Sequence, residues 1–152
     1  MKILIMSDSH GLSHVCVTVA EKESPDIIVH LGDNQKDTIK LSQQFPDIPL
    51  YSVRGNCDLR SESPDEIEFE TIGVRFYMTH GHLHDVKRDI RHLISAAKQK
   101  GSDVVLFGHT HIAYHQRNEG IVFLNPGSLL KTYAILELKD GATVCDIKNA
   151  WE

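Results

Sequence analysis

The chain has 152 residues, 41% hydrophobic and 24% charged, the balance of one soluble domain with a sizeable core. Its formal net charge of -5 excludes nucleic-acid binding through the surface as a whole, so nucleic acid enters at most as a substrate end. The three cysteines, Cys16, Cys57 and Cys145, are odd in number and widely spaced, which argues against a disulfide framework or a zinc ribbon and for a reducing, cytoplasmic setting.

Residues 2–6 form a short apolar run rich in β-branched side chains, the pattern of a strand buried on both faces. Asp8 stops that run, which is too short for a signal peptide, and no later run is long enough to span a bilayer. Asp8-Ser9-His10 follows the strand at once, and a tight turn there can aim a carboxylate and an imidazole at one point. A helix is predicted over 12–23, with Val15, Cys16 and Val19 near one face and Ser24-Pro25-Asp26 as its stop. Cys16 reads as a small buried apolar group. Residues 27–31 repeat the strand pattern and end in Gly32-Asp33-Asn34; a helix over 36–45 follows. Residues 50–54 are a third strand, ending in Gly55-Asn56-Cys57-Asp58. Three β–α units with short connections predict parallel strands and right-handed crossovers.

The stretch 59–66 is charged and serine-rich, an exposed loop. Residues 67–70 alternate, Thr71-Ile72-Gly73 turns, and 74–78 run back as a hairpin whose second strand ends in Thr79-His80-Gly81-His82. An amphipathic helix is predicted over 86–100, with Val86, Ile90, Leu93, Ile94 and Ala97 on one face, His92 on the surface and Gly101 as C-cap. Residues 103–107 are a further buried strand, ending in Gly108-His109-Thr110-His111. Two antiparallel pairs complete the chain, turning at Asn118-Glu119-Gly120 and at Asp140-Gly141, with Asn125-Pro126-Gly127-Ser128 as a rigid turn between them.

Five of the ten histidines cluster at 80–84 and 109–111, a grouping that suits metal binding or proton transfer better than a solvated surface. In open α/β sheets, ligand sites form outside the carboxyl ends of the strands. Five strand ends here deliver seven oxygen and nitrogen donors: Asp8, His10, Asp33, Asn56, His80, His109 and His111. That exceeds the four ligands of a structural zinc and suits two divalent ions, about 3.5–4 Å apart, sharing a carboxylate. Taken singly, each fragment is ordinary turn sequence. Turn chemistry accounts for Gly, Asp and Asn after a strand, but not for three histidines at two of the ends.

Ser-Asp-Ser-His-Gly, Gly-Asp, Gly-Asn-Cys-Asp, a lone His followed by Gly, Gly-His-Thr-His and Asn-Pro-Gly-Ser occur in this order between residues 7 and 128. In these motifs the chain resembles the calcineurin-like metallophosphoesterases, in particular their small bacterial and archaeal phosphodiesterase branch, from residue 2 to about residue 148. The resemblance implies an α/β fold, a four-layer αββα sandwich of two mixed β-sheets flanked by helices, in a single domain over 1–152. It implies that Asp8, His10 and His111 hold one metal, that Asn56, His80 and His109 hold a second, and that Asp33 bridges them. The implied reaction is phosphoester hydrolysis, first of all of a phosphodiester, by in-line attack of a hydroxide bridging the two ions. Manganese is favoured by the resemblance, and iron, nickel or zinc also suit the mixed donor set.

One position departs from the pattern. Many relatives carry a His after the Gly-Asn, as proton donor to the leaving group; here Cys57 stands, and a thiol with a reference pKa of about 8.5 matches that task poorly. Slow turnover and a preference for good leaving groups follow. Cys57 is otherwise a passive turn residue. His82 is a second candidate for the proton or a support for a ligand, Asp58 a residue that orients one, Asn56 a possible contact to a phosphoryl oxygen, and Arg54 and Arg60 candidate phosphate contacts. The expected partner is a small phosphoester, with no membrane. Hairpin strands at 67–78 or 135–144 could pair copies into a homo-oligomer. The competing reading is a protein-interaction scaffold of the same fold, as in the eukaryotic retromer subunit, and a third is a metal-storage or sensing domain.

Overall fold

A computed structural model describes residues 1–152 as ten strands and three α-helices. In β1 (Lys2–Met6), Ile3 and Ile5 point into one apolar cluster and Leu4 and Met6 into another, and all four are fully buried. A strand with no solvent face must be covered on both sides. On one side lie α1 (Ser13–Glu23) and α2 (Asp37–Gln44), which add Val15, Cys16, Val19 and Leu41. On the other lies a second sheet.

The first sheet has the order β10-β9-β1-β2-β3, with β2 (Ile27–His30), β3 (Leu50–Ser52), β9 (Thr132–Lys139) and β10 (Ala142–Asn149). β1, β2 and β3 are parallel, whereas β9 inserts antiparallel beside β1 and pairs in turn with β10. The second sheet has the order β4-β5-β6-β8-β7, from β4 (Glu66–Thr71), β5 (Val74–Thr79), β6 (Val104–Leu106), β7 (Tyr114–Asn118) and β8 (Ile121–Asn125). Its three inner strands are parallel and its two edges antiparallel. The same alternation recurs: Phe76, Met78, Leu106 and Leu124 face the first sheet, while Tyr77, Val105 and Phe123 face α3 (Arg91–Lys100) with its Leu93 and Ala97. The result is an αββα sandwich of two mixed sheets. The layer between the sheets contains 15 buried residues. At about 1.5–3 kcal/mol for each large side chain buried, that layer and the two outer clusters, of 11 and 8 buried residues, stabilise the fold while the loops at the strand ends carry costly polar groups.

The helix expected over 86–100 is shorter than its apolar spacing suggests. Residues 82–84 form a 3₁₀ turn, Asp85 takes a left-handed φ of 53°, and α3 begins only at Arg91. At the late start the Asp89 carboxylate accepts the Arg91 N–H at 3.0 Å, satisfying a donor that has no partner within the helix. Val86 and Ile90 still pack in the α3 cluster, because the turn lays them on the same face. Other boundaries differ from expectation by a residue or so at frayed ends. No helix is long and apolar enough to cross a membrane.

Candidate metal centre

The ends of β1, β2, β5 and β6 bring their polar residues to one edge of the sandwich. Donor atoms of Asp8, His10, Asp33 and His111 lie within 4.8 Å of one another, and those of Asp33, His80 and His109 form a second such group. Asp33 belongs to both. Beyond the end of β3, Asn56 joins the second group, its Oδ1 3.1 Å from His80 Nε2. Asp8, Asp33 and His80 are buried, His109 is half-buried, and His10 and His111 are exposed, so the centre has an acidic floor and an open mouth. The backbone is bent to achieve this. Five of the eleven non-glycine residues with positive φ are Asp8, His10, Asp33, His109 and His111. That conformation costs about 1 kcal/mol or more per residue and persists only where the surroundings enforce it.

Asp8 shows what the site is built to receive. Its Oδ2 accepts from Ser7 Oγ at 2.5 Å and from the His109 N–H at 3.2 Å. Its Oδ1 is buried and has no hydrogen-bond partner, although His111 Nε2 stands 3.1 Å away. That arrangement fits two donors turned toward a shared cation. A buried carboxylate oxygen left alone is destabilising by about 1–3 kcal/mol or more. His80 is oriented the same way. Leu31 O can only accept, so the 2.7 Å contact fixes the proton on His80 Nδ1 and leaves Nε2 facing Asp33 and Asn56. Burial opposes protonation of His80, but Asp33 and Asp8 outweigh it and raise its pKa. Burial would push the Asp33 carboxyl up, and His80 with the Cys57 N–H overcomes it, holding it well below the usual range. His109 is brought down to about 4 by burial and by the charges of His80 and Lys87, so it is neutral at pH 7 with a lone pair to offer. Carboxylate, imidazole and amide donors of this kind fit divalent transition ions.

A family model of the calcineurin-like phosphoesterase superfamily domain matches residues 1–141. The chain belongs to that superfamily. It is 36% identical to the probable metallophosphoesterase YsnB of Bacillus subtilis over 155 residues, covering 95% of this chain and 89% of the relative. A solved structure from Streptococcus pneumoniae, described as a predicted phosphoesterase, has a TM-score of 0.81 at 29% identity, covering 98% of this chain and 89% of that one. Vps29 of Entamoeba histolytica, solved in complex with zinc, has a TM-score of 0.79 at 19% identity, covering 99% of each chain, and shares the fold.

Behind the candidate donors lies a supporting layer, most of which looks in the sequence like plain turn residues. Asp58, the expected orienting residue, is buried in it and accepts the N–H groups of Asp33 at 2.8 Å, Gly55 at 2.9 Å and Gln35 at 2.9 Å, joining the loops after β2 and β3. Those loops touch so closely that a Cβ on Gly55 would run into Asp33 Oδ1. Ser9, His30 and Asp37 form a buried chain. The Gly32 N–H donates to His30 Nδ1 at 3.2 Å, so Nε2 carries the proton and donates to Ser9 Oγ at 2.8 Å. Ser9 Oγ donates in turn to Asp37 Oδ2 at 2.6 Å. Burial brings the His30 pKa down to about 4, consistent with that neutral ring. From the turn after β8, Asn125 Nδ2 donates to Gly108 O at 3.1 Å and Ser128 Oγ to Asp8 O at 2.8 Å. His30 inside an apolar run is the one signal that could have exposed this layer.

The remaining candidates lie around the mouth. Cys57 is exposed; its N–H donates to Asp33 Oδ1 at 2.9 Å, while partial burial and the charges of Asp33 and Asp58 push its thiol pKa up. The His82 ring is 5.4 Å from His80 and 6.1 Å from His109, its Nδ1 has no partner, and burial and the His80 charge lower its pKa. Arg54 is tied to Asp65 at 2.9 Å. Arg60, with Lys36, lines a polar groove beside Cys57.

Proposed function

We propose that this metallophosphoesterase hydrolyses phosphodiesters with two divalent ions, one held by Asp8, His10, Asp33 and His111, the other by Asp33, Asn56, His80 and His109. The observation that carries the reading is the membership of Asp33 in both donor groups. Ions held by these residues would supply a water of lowered pKa as the in-line nucleophile and positive charge for the phosphoryl oxygens. The chain's own part is to present the donors: Ser7 and the His109 N–H occupy one oxygen of Asp8, and Leu31 O keeps the His80 proton on the far nitrogen. Manganese is the expected metal. Zinc, which the Vps29 relative binds, is the first alternative to test.

A diester brings one negative charge and a monoester up to two. Two carboxylates already lie at the floor, and nearby Arg54 is engaged by Asp65, so the singly charged substrate is the better match. With a weakly acidic Cys57 and a neutral His82 at the mouth, leaving-group protonation is poor, and esters with good leaving groups are turned over fastest. The three free cysteines fit a reducing compartment, and on that ground we place the protein in the cytoplasm.

The fold shared with Vps29 also supports a scaffold. Bis-p-nitrophenyl phosphate separates the two. Hydrolysis that requires added Mn²⁺ and disappears in His109→Ala is the expected result. Ion uptake by calorimetry without turnover would leave a storage or sensing domain, and absence of both would leave the scaffold.

A further inference from the structure

The Gly-His-Thr-His loop has a second face. Thr110, between His109 and His111, lines a groove of about 590 Å³ that the metal donors do not use. Each of its walls begins next to a donor. Val86 leans on Gly81, the residue after His80, so closely that a Cβ there would sit 2.8 Å from its Cγ2, and Gly108 O is nearby. Ile112 directly follows His111 and is 71% exposed, a large apolar side chain left in solvent beside a polar centre. Phe107 and Tyr114 meet edge-on at 5.9 Å and give the groove an aromatic side. Lys87 also lines it. The groove on the other flank, about 500 Å³ and lined by Lys36, Arg60 and Ser61, is polar by contrast.

We propose that the apolar groove is a substrate subsite, which takes an aryl-sized apolar substituent carried on the phosphorus. The proposal rests on the phosphoesterase reading above. Its volume lies in the range of small-molecule sites, about 300–1,000 Å³. Adjacency along the chain identifies the occupant: Thr110 and Ile112 flank His111, so a phosphoryl group at the donors would have the groove one residue away. Tethering of that kind favours the substituent over any free apolar partner. Lys87 adds a cation next to the anionic phosphorus end.

Two phosphonates inert to hydrolysis test this by calorimetry on the Mn²⁺-loaded protein. Phenylphosphonate is expected to bind at least about tenfold tighter than methylphosphonate. Ile112→Asn and, separately, Tyr114→Ser should bring the two within about threefold of each other and leave methylphosphonate affinity unchanged, as expected where an exposed Ile112 and a half-buried Tyr114 serve only the larger ligand. Equal affinities in the wild type overturn the subsite, as does a preference that survives both variants or a variant that weakens both ligands alike. Absence of phenylphosphonate binding overturns the subsite, and only absence of bis-p-nitrophenyl phosphate hydrolysis as well overturns the phosphoesterase reading on which it rests.

Discussion

Glu23 and Asp8 are both buried carboxylates, and the chain provides for them in opposite ways. Around Glu23 stand Lys2 at 2.8 Å, Lys148 at 3.0 and 3.1 Å and the Tyr133 hydroxyl at 2.7 Å, so both oxygens are satisfied by the protein's own donors. Around Asp8 stand Asp33 and a group of imidazoles, and one oxygen has no partner. A closed cluster contributes stability by itself. An open one brings two carboxylates together, and its neutral His109 adds no charge to offset them. The contrast separates a structural carboxylate from one prepared for a cation, and substitutions can break it.

The largest effect is expected at the open cluster. Asp33→Asn keeps an acceptor for the Cys57 N–H but removes the charge common to both donor groups. Activity on bis-p-nitrophenyl phosphate should fall by about a thousandfold or more. Glu23→Gln should leave activity intact and reduce stability alone. An Asp33→Asn protein that keeps its activity, or a Glu23→Gln protein that loses it, would end the distinction.

The size of the Glu23 effect follows from its titration. Burial pushes its carboxyl up, but the bonds from Lys2, Tyr133 and Lys148 outweigh that and bring it from an ordinary 4.5 to about 2. Such a depression corresponds to about 3 kcal/mol at most. Because the folded value is the lower one, this contribution is complete above about pH 4.5 and is lost as the pH falls toward 2. Urea unfolding between pH 7 and pH 3 should show that loss in the wild type and a flatter profile in Glu23→Gln. Identical profiles would mean that the cluster is equally formed in the unfolded chain.

How much of this was legible in the sequence divides along similar lines. β1, β2 and β6 were readable because burial on both faces leaves unbroken apolar runs, β5 because it returns from a hairpin turn, and the candidate donors because histidines stand where the strands stop. The Asp85 turn was not readable, since Val86 and Ile90 keep helical spacing across it. Nor was the supporting layer. Ser9, Asn125 and Ser128 read as turn residues, and their roles depend on partners brought up by the fold, as with Ser128 and Asp8, 120 positions apart. Local chemistry writes turns into the sequence, but contact across the two sheets leaves no local trace.

Asp37 tests that hidden layer. It accepts from Ser9 Oγ at 2.6 Å and the Gly11 N–H at 3.0 Å, tying the loop that carries Asp8 and His10 to the start of α2. Asp37→Ala should reduce Mn²⁺ affinity about tenfold to a hundredfold, as loss of a support behind metal ligands does, and Asp37→Asn, which keeps an acceptor, should reduce it less. Unchanged affinity by calorimetry in the alanine variant would make the network a matter of packing alone.

The smallest effect is expected at Cys57, and it is selective. The backbone N–H of residue 57 holds Asp33 Oδ1 whatever the side chain is, so substitution should leave metal affinity alone. The thiol faces Asp33 and Asp58, whose charges push its pKa up and disfavour proton transfer near neutrality. The same carboxylates would favour a protonated imidazole, which is an acid able to give its proton to a departing alkoxide. Cys57→His should therefore speed hydrolysis of an alkyl phosphodiester about tenfold and barely change a p-nitrophenyl ester, whose leaving group needs no proton. Equal rates on both esters before and after the substitution would reduce residue 57 to its backbone amide and move the search for the leaving-group acid to His82, whose unpartnered Nδ1 lies on the same rim.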